Sequence, residues 1–99
     1  MKRLSWADDA LADLEEQIAF IARDDPRSAA LVAGRIDAAV RKLLARSIGR
    51  PGRVAGTYEK SIDKTSLIVA YELLDAGETL AILRIMHAAR DWKPGKFPD

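Results

Sequence analysis

Two neighbouring segments of this chain are apolar on both faces of a predicted strand. Residues 66–73 and 79–86 are strand-like runs joined by a short turn that contains Gly77. A strand in a sheet that is covered on one side alternates apolar and polar residues, whereas these segments are apolar at consecutive positions. They therefore predict a sheet that needs an apolar cover on each of its two faces.

The N-terminal half predicts a short strand followed by two helices. Residues 2–6 alternate polar and apolar side chains, and from Asp8 the apolar residues follow the helical period. Asp25 is suited to cap a second helix, and Pro26 to occupy its first position, where the missing N–H costs nothing. We expect this helix to run from Pro26 to Ser47. Because the linker is so short, the two helices should form an antiparallel hairpin.

The C-terminal half predicts an antiparallel meander. A loop rich in glycine and proline spans residues 49–56, and residues 93–99 are expected to form an irregular tail. Short turns between the strand candidates favour antiparallel pairing. These candidates are residues 57–62, 66–73 and 79–86. The chain is thus predicted to be one α+β domain over residues 1–99, of order β-α-α-β-β-β, with the helical hairpin packed on one face of an antiparallel sheet.

One hairpin can cover only one face of such a sheet. The other face would carry apolar side chains with no cover of their own, and an exposed apolar patch is best interpreted as a docking surface. The sequence therefore predicts that a second polypeptide covers it. The candidate docking residues are Leu80, Ile82, Arg84, Met86, Ile68 and Ala70.

Charge is unevenly distributed although its sum is close to zero, with 16 Lys and Arg against 15 Asp and Glu in 99 residues. Residues 8–16 hold five acids and no base, whereas residues 41–60 hold six bases and one acid, Glu59. The basic stretch includes the glycine-rich loop, so it is the candidate for contact with an anion or a target protein. The candidate contact residues are Arg50, Arg53, Lys60 and Tyr58.

The absence of certain residue patterns excludes several classes of protein. The chain has no cysteine, no apolar run near the roughly 20 residues of a membrane span, and no apolar signal-peptide segment. We therefore expect a soluble cytoplasmic protein with no membrane partner. A single histidine without cysteine makes a metal site unexpected, and we expect no cofactor.

Arg84 interrupts the last apolar strand, which ends near His87 and Arg90. An arginine in a buried strand needs an anionic or hydrogen-bonding partner. Two roles are open for it: pairing with a carboxylate such as Glu59 or Glu72 across the sheet, or binding another molecule. A histidine at a strand end is more often a hydrogen-bonded structural residue than a catalyst.

As an ordered set, these residues resemble the RelE/ParE family of bacterial toxins, which belong to type II toxin–antitoxin pairs. The resemblance covers most of the chain. Its residues are Trp6 and Ala7, Asp13 and Leu14, Ile18, 20–22, Asp25 and Pro26, 29–30, Ile36, Val40, Leu43, 49–54, 56–57, 68–71 and 82–90. The resemblance implies the same α+β fold and a growth-inhibiting toxin. It also implies a cognate antitoxin that lies across an apolar groove.

The resemblance leaves two targets open. RelE-like members cut messenger RNA on the ribosome without a metal, whereas ParE-like members poison DNA gyrase by binding it. For a nuclease, His87 would be the acid or base and Glu59 the alternative base. Tyr58 would stack on a base of the RNA. The phosphate would be held by Arg53, Lys60, Arg84 and Arg90.

Three departures from the RelE-like pattern favour the gyrase target. Leu67 and Ile68 stand where the nucleases carry an arginine, Lys60 stands where RelE has a lysine pair, and the tail lacks their tyrosine. The ending from Arg84 onward is closer to the ParE-like pattern. We therefore expect inhibition of gyrase, with a ribosome-dependent endoribonuclease as the alternative. An inert relative that binds only its antitoxin is a third hypothesis.

Overall fold

The computed structural model describes residues 2–47, 49–88 and 95–98. Within them the chain has the predicted α+β order, with one additional two-residue strand in the glycine-rich loop. The elements are β1 (Arg3–Trp6), α1 (Asp8–Asp24), α2 (Pro26–Ala45), β2 (Arg50–Pro51), β3 (Tyr58–Ser61), β4 (Leu67–Leu74) and β5 (Thr79–His87). None of the helices among the described residues is long and apolar enough to cross a membrane.

The five strands form one sheet in the order β1-β5-β4-β3-β2. Strands β3, β4 and β5 are the expected antiparallel meander, and β2 pairs with β3 antiparallel. Strand β1 instead pairs with β5 in parallel, from Arg3 opposite Thr79 to Trp6 opposite Ile82. The helical hairpin is the crossover between β1 and the meander, which is the kind of connection that parallel neighbours require.

The hairpin turns on a single residue, Asp25, as its sequence predicts. The Asp25 carboxylate accepts hydrogen bonds from the backbone N–H groups of Arg27 (3.0 Å) and Ser28 (3.2 Å) at the start of α2. The Ser28 hydroxyl also donates to it (2.7 Å), and these bonds lower the pKa of Asp25. Because a cap is a local interaction, the start of α2 could be predicted to within a residue.

A β-bulge interrupts the pairing of β4 with β5. Ala70 lies opposite Arg84, but the next residue, Tyr71, lies opposite Ile82, so Leu83 has no partner of its own. One extra residue reverses the face on which all side chains beyond it lie. The N-terminal part of β5 therefore follows a different alternation from its C-terminal part.

The bulge corrects the predicted docking surface. Leu80 and Ile82 are 0% exposed and belong to the main core beneath the helices. Met86 lies on the opposite face with Ile68 and Ala70. The expectation that the six candidate docking residues share one open face is therefore wrong for Leu80 and Ile82, because it assumed an unbroken alternation along β5.

The face away from the helices has a cover of its own. Ile68, Ala70 and Met86 are only 5%, 0% and 2% exposed, and Phe97 from the C-terminal tail packs against them. The prediction that a second polypeptide must supply this cover is therefore wrong. We call residues 95–98 the tail segment; it turns at Gly95, which has a φ of +80°.

Candidate functional site

Arg84 has a partner on the first helix. Its Nε and Nη2 donate to the two carboxylate oxygens of Asp13, at 2.7 and 3.1 Å, and its Nη1 donates to the carbonyl oxygen of Pro98 at 2.6 Å. The Asp13 carboxylate also accepts from the backbone N–H of Ile85 at 2.9 Å. The two ionic side chains are 16% and 14% exposed. Arg84 thus connects α1, β5 and the tail segment.

Pairing with a carboxylate, one of the two roles left open for Arg84, is confirmed, but the carboxylate is that of Asp13 and not of Glu59 or Glu72. Asp13 is 71 positions away in sequence, and it reaches Arg84 because α1 packs beside β5 beyond the last pair with β1. The sequence signals for Asp13 were its position next to the apolar stripe of α1 and its place in the family resemblance. Those signals do not specify which basic residue lies opposite.

Glu59 is the centre of a second ionic cluster. Its carboxylate accepts from the backbone N–H of Arg53 (2.8 Å), from Arg53 Nε (2.7 Å) and from Arg53 Nη2 (2.9 Å). The Nη2 of Arg50 lies 3.8 Å from the same carboxylate. The bonds from Arg53 lower the pKa of Glu59 despite its burial, so it stays ionised and is a poor proton acceptor at neutral pH.

The loop that carries these arginines is held by further contacts. The Gly49 N–H donates to the Tyr71 hydroxyl (2.8 Å), and the Gly52 N–H donates to the Thr57 carbonyl (2.8 Å). A Cβ on Gly49 would lie 2.4 Å from the Tyr71 hydroxyl oxygen, so no larger residue fits. Burial raises the pKa of Tyr71, and the hydroxyl therefore remains a neutral hydrogen-bonding group. The loop is fixed at both ends and in the middle.

The predicted contact residues of the basic stretch are divided between the two faces of the sheet. Glu59 lies opposite Ala70, which is on the face covered by the tail segment, called the tail face below, and Arg50 lies opposite Glu59. Lys60 instead lies opposite Val69, which belongs to the core under the helices. Tyr58 is on that same side, where it stacks on Tyr71 with ring centres 5.6 Å apart. Arg50 and Arg53 are therefore brought together, but Lys60 and Tyr58 lie on the other face.

His87 lies on the helix side of the sheet. It pairs with Leu67, which is in the main core, and its Nε2 lies 2.9 Å from the Gln17 amide oxygen on α1. Its Nδ1 lies 3.4 Å from the Ser66 hydroxyl. Next to it is a groove of about 240 Å³ with an apolar floor that includes Ile21 and Val32. The hydrogen bonds agree with a structural role for this histidine.

The candidate nuclease residues are therefore not assembled into one site. Glu59 lies on the tail face, whereas His87 lies on the helix face. Arg84 pairs with Ala70 of the tail face, but its guanidinium is bound to Asp13 on α1. Arg90, the fourth candidate, is outside the described residues. Within the described ranges, no three His, Asp or Glu side chains lie close enough together to hold a metal ion.

Comparison with known proteins gives consistent matches. Residues 4–92 match the family described as "ParE toxin of type II toxin-antitoxin system, parDE". A protein of Sinorhizobium fredii (strain NBRC 101917 / NGR234) named "Putative toxin Y4kP" is 38% identical over 92 residues, which are 92% of this chain and 93% of that protein.

Two solved structures have the same fold. The structure described as "Chromosomal ParDE TA system from P. aeruginosa" superposes with a TM-score of 0.76 at 24% identity, over 88% of this chain and 96% of that one. The E. coli RelBE toxin–antitoxin complex superposes with a TM-score of 0.63 at 12% identity, over 91% of this chain and 100% of that one. At such identities the likeness shows the fold alone.

Proposed function

Because the chain belongs to the ParE toxin family of type II toxin–antitoxin systems, we propose that it inhibits bacterial growth by binding DNA gyrase. The toxin class follows from the family, and the choice of gyrase is our proposal. The observation that carries this choice is the separation of His87 from Glu59 by the sheet. A ribonuclease needs its acid, its base and its phosphate-binding cations around one phosphate.

The contacts of each candidate group also favour a binding protein over a nuclease. Arg53 occupies the Glu59 carboxylate with three hydrogen bonds, and Asp13 and Pro98 occupy Arg84. A catalytic base or a phosphate clamp must exchange such partners for substrate. Each exchange would leave a buried charge without its partner, which costs several kcal/mol.

Arg50 is the residue of the basic loop best placed to contact the target. Its side chain is 52% exposed, against 15% for Arg53. We propose that it docks on an acidic surface of gyrase. Lys60 and Tyr58 lie on β3 and on the other face of the sheet. We propose that they make a separate part of the contact with gyrase.

We also propose that the cognate antitoxin binds the tail face, at Ile68, Ala70, Met86 and Arg84. This face already holds a peptide segment in the free chain: Phe97 fills the apolar cluster and the Pro98 carbonyl accepts from Arg84. An extended antitoxin segment that offers an apolar side chain followed by a backbone carbonyl would make the same two contacts. The antitoxin then takes the place of the tail segment.

Paired assays on the purified chain test the gyrase proposal. We expect the wild type to inhibit DNA supercoiling by gyrase and to leave ribosome-bound mRNA intact. A His87→Ala variant should inhibit supercoiling as the wild type does, because the histidine is not placed at the contact. Cleavage of ribosome-bound mRNA that His87→Ala abolishes, with supercoiling untouched, would establish the nuclease in its place.

A further inference from the structure

We propose that the Arg53–Glu59 pair is a positioning clamp, which holds the loop so that Arg50 faces the target, while Arg53 itself makes no target contact. The inference rests on the proposed function and assigns a task to two residues of the same site. It changes the expected role of both, since Arg53 was predicted to contact the target and Glu59 to act as a base.

The first reason is the geometry of Arg53. It binds one carboxylate through its backbone N–H and through two guanidinium nitrogens, at 2.7 to 2.9 Å. A backbone and a side-chain bond from the same residue fix both the path of the loop and the direction of the guanidinium. With 15% of its side chain exposed, Arg53 is not available as a surface cation.

The second reason is the position of Arg50. This residue pairs with Glu59 across β2 and β3, so the strand that carries the clamp's carboxylate also fixes the backbone of Arg50. The Arg50 guanidinium lies 3.8 Å from Glu59 and 3.4 Å from the Ser61 hydroxyl, yet half of the side chain is exposed. It is therefore oriented by weak contacts and still accessible to a partner.

The third reason is charge. One carboxylate lies beside two guanidinium groups, and the more exposed of the two belongs to Arg50. Removal of the Glu59 charge would weaken the three hydrogen bonds that hold the backbone and the guanidinium of Arg53. The loop that carries Arg53 is then expected to be held less firmly, because charge-assisted hydrogen bonds are stronger than neutral ones.

The test uses four variants of the full chain: Glu59→Gln, Arg53→Lys, Arg50→Ala and the double variant Arg50→Ala/Glu59→Gln. Glu72→Gln on β4 is the matched control, since it removes a carboxylate from a neighbouring strand. Hydrogen exchange at the Gly52 and Arg53 amides reports loop order. Supercoiling inhibition reports the target contact, and Arg53→Lys provides a milder change should Glu59→Gln fail to fold.

We expect Glu59→Gln to speed exchange at both amides by tenfold or more and to weaken supercoiling inhibition as much as Arg50→Ala does. The double variant should lose no more supercoiling inhibition than Arg50→Ala alone, because the clamp acts through Arg50. Glu72→Gln should match the wild type in both measurements. If Glu59→Gln loosens the loop but inhibits normally, or if the two losses add, the clamp has no positioning role.

Failure of the clamp and failure of the proposed function give different results. If the wild type does not inhibit gyrase, the function is wrong, and growth inhibition by the same variants replaces the supercoiling readout. If the clamp positions Arg50, Glu59→Gln and Arg50→Ala should still reduce toxicity equally, and the double variant should reduce it no further. Equal toxicity of Glu59→Gln and the wild type in that assay would overturn it.

Discussion

Glu59 shows how the neighbours of a residue decide its role. As a lone acid in a basic stretch it was a candidate base, but Arg53 takes both of its oxygens and lowers its pKa. Because the folded pKa is lowered, the pair stabilises the fold fully above the usual value of 4.5 and loses its effect as the pH falls through the folded pKa. Stability should therefore depend on pH through this residue.

We predict that Glu59→Gln lowers the free energy of unfolding by about 2 kcal/mol at neutral pH. The difference from the wild type should shrink as the pH falls below 4.5, because Glu59 is then protonated first in the unfolded chain and, at lower pH, in the folded protein. Urea unfolding of both proteins at pH 7, 4 and 3 measures it. A difference that stays constant over this range would mean that the charge of Glu59 does not stabilise the fold.

The two glycines at positions 34 and 49 should respond in opposite directions to alanine. A Cβ at Gly49 meets the Tyr71 hydroxyl and the Glu59 carbonyl oxygen, whereas a Cβ at Gly34 in α2 meets nothing within 4 Å. We predict that Gly49→Ala destabilises by about 2 kcal/mol. Gly34→Ala should stabilise by about 0.5–1 kcal/mol, since alanine is the better helix former. Thermal unfolding of both variants would refute this if the two shifts had the same sign.

For the candidate site, the sequence predicted what a single residue requires but not which residues pair with one another. The need of Arg84 for a buried partner followed from its type and its strand, and the structure confirms that it has one. The identity of that partner, Asp13, did not follow, because it depends on how α1 crosses the sheet. Long-range pairs of this kind have no local sequence pattern.

At the scale of elements, the helices were more predictable than the strands. The start of α2 follows from Asp25 and Pro26, two residues that act locally. The bulge at Leu83 has no such signal, because Ile82 and Leu83 are both apolar and either could face the helices. The sequence of a strand that is apolar on both faces does not determine its register. The predicted docking set was therefore wrong for the residues on the N-terminal side of the bulge, Leu80 and Ile82.

The tail segment is the element whose removal should change partner binding. Phe97 occupies the face that we assign to the antitoxin, so Phe97→Ala should lower the cost of displacing the tail. We predict that the antitoxin binds this variant several-fold to about tenfold more tightly, since a larger fraction of the chain is competent to bind. Titration calorimetry measures the affinity.

Phe20→Ala is the matched control for this prediction, because Phe20 is a 64% exposed aromatic residue on α1 and away from the tail face. It should leave the antitoxin affinity unchanged. Weaker binding by Phe97→Ala alone would show instead that the antitoxin packs on Phe97 and leaves the tail in place.

At the scale of the whole molecule, the sheet has two covered faces with different tasks. The helical hairpin covers one face and packs with it to form the main core, and the tail segment covers the other. The sequence indicated that two covers were needed, but it assigned the second to another protein because the tail has no regular pattern. The toxin class does not depend on that assignment, since it follows from the family match over residues 4–92.

The binding of the labelled chain to purified gyrase tests the proposed target most directly. We predict binding that weakens from 50 to 200 mM salt, as for a contact made by a basic loop. Arg50→Ala should weaken it by about tenfold, or about 1.4 kcal/mol, while Arg23→Ala on α1 should leave it unchanged. No binding to gyrase at either salt concentration, with binding to ribosomes under the same conditions, would contradict the account.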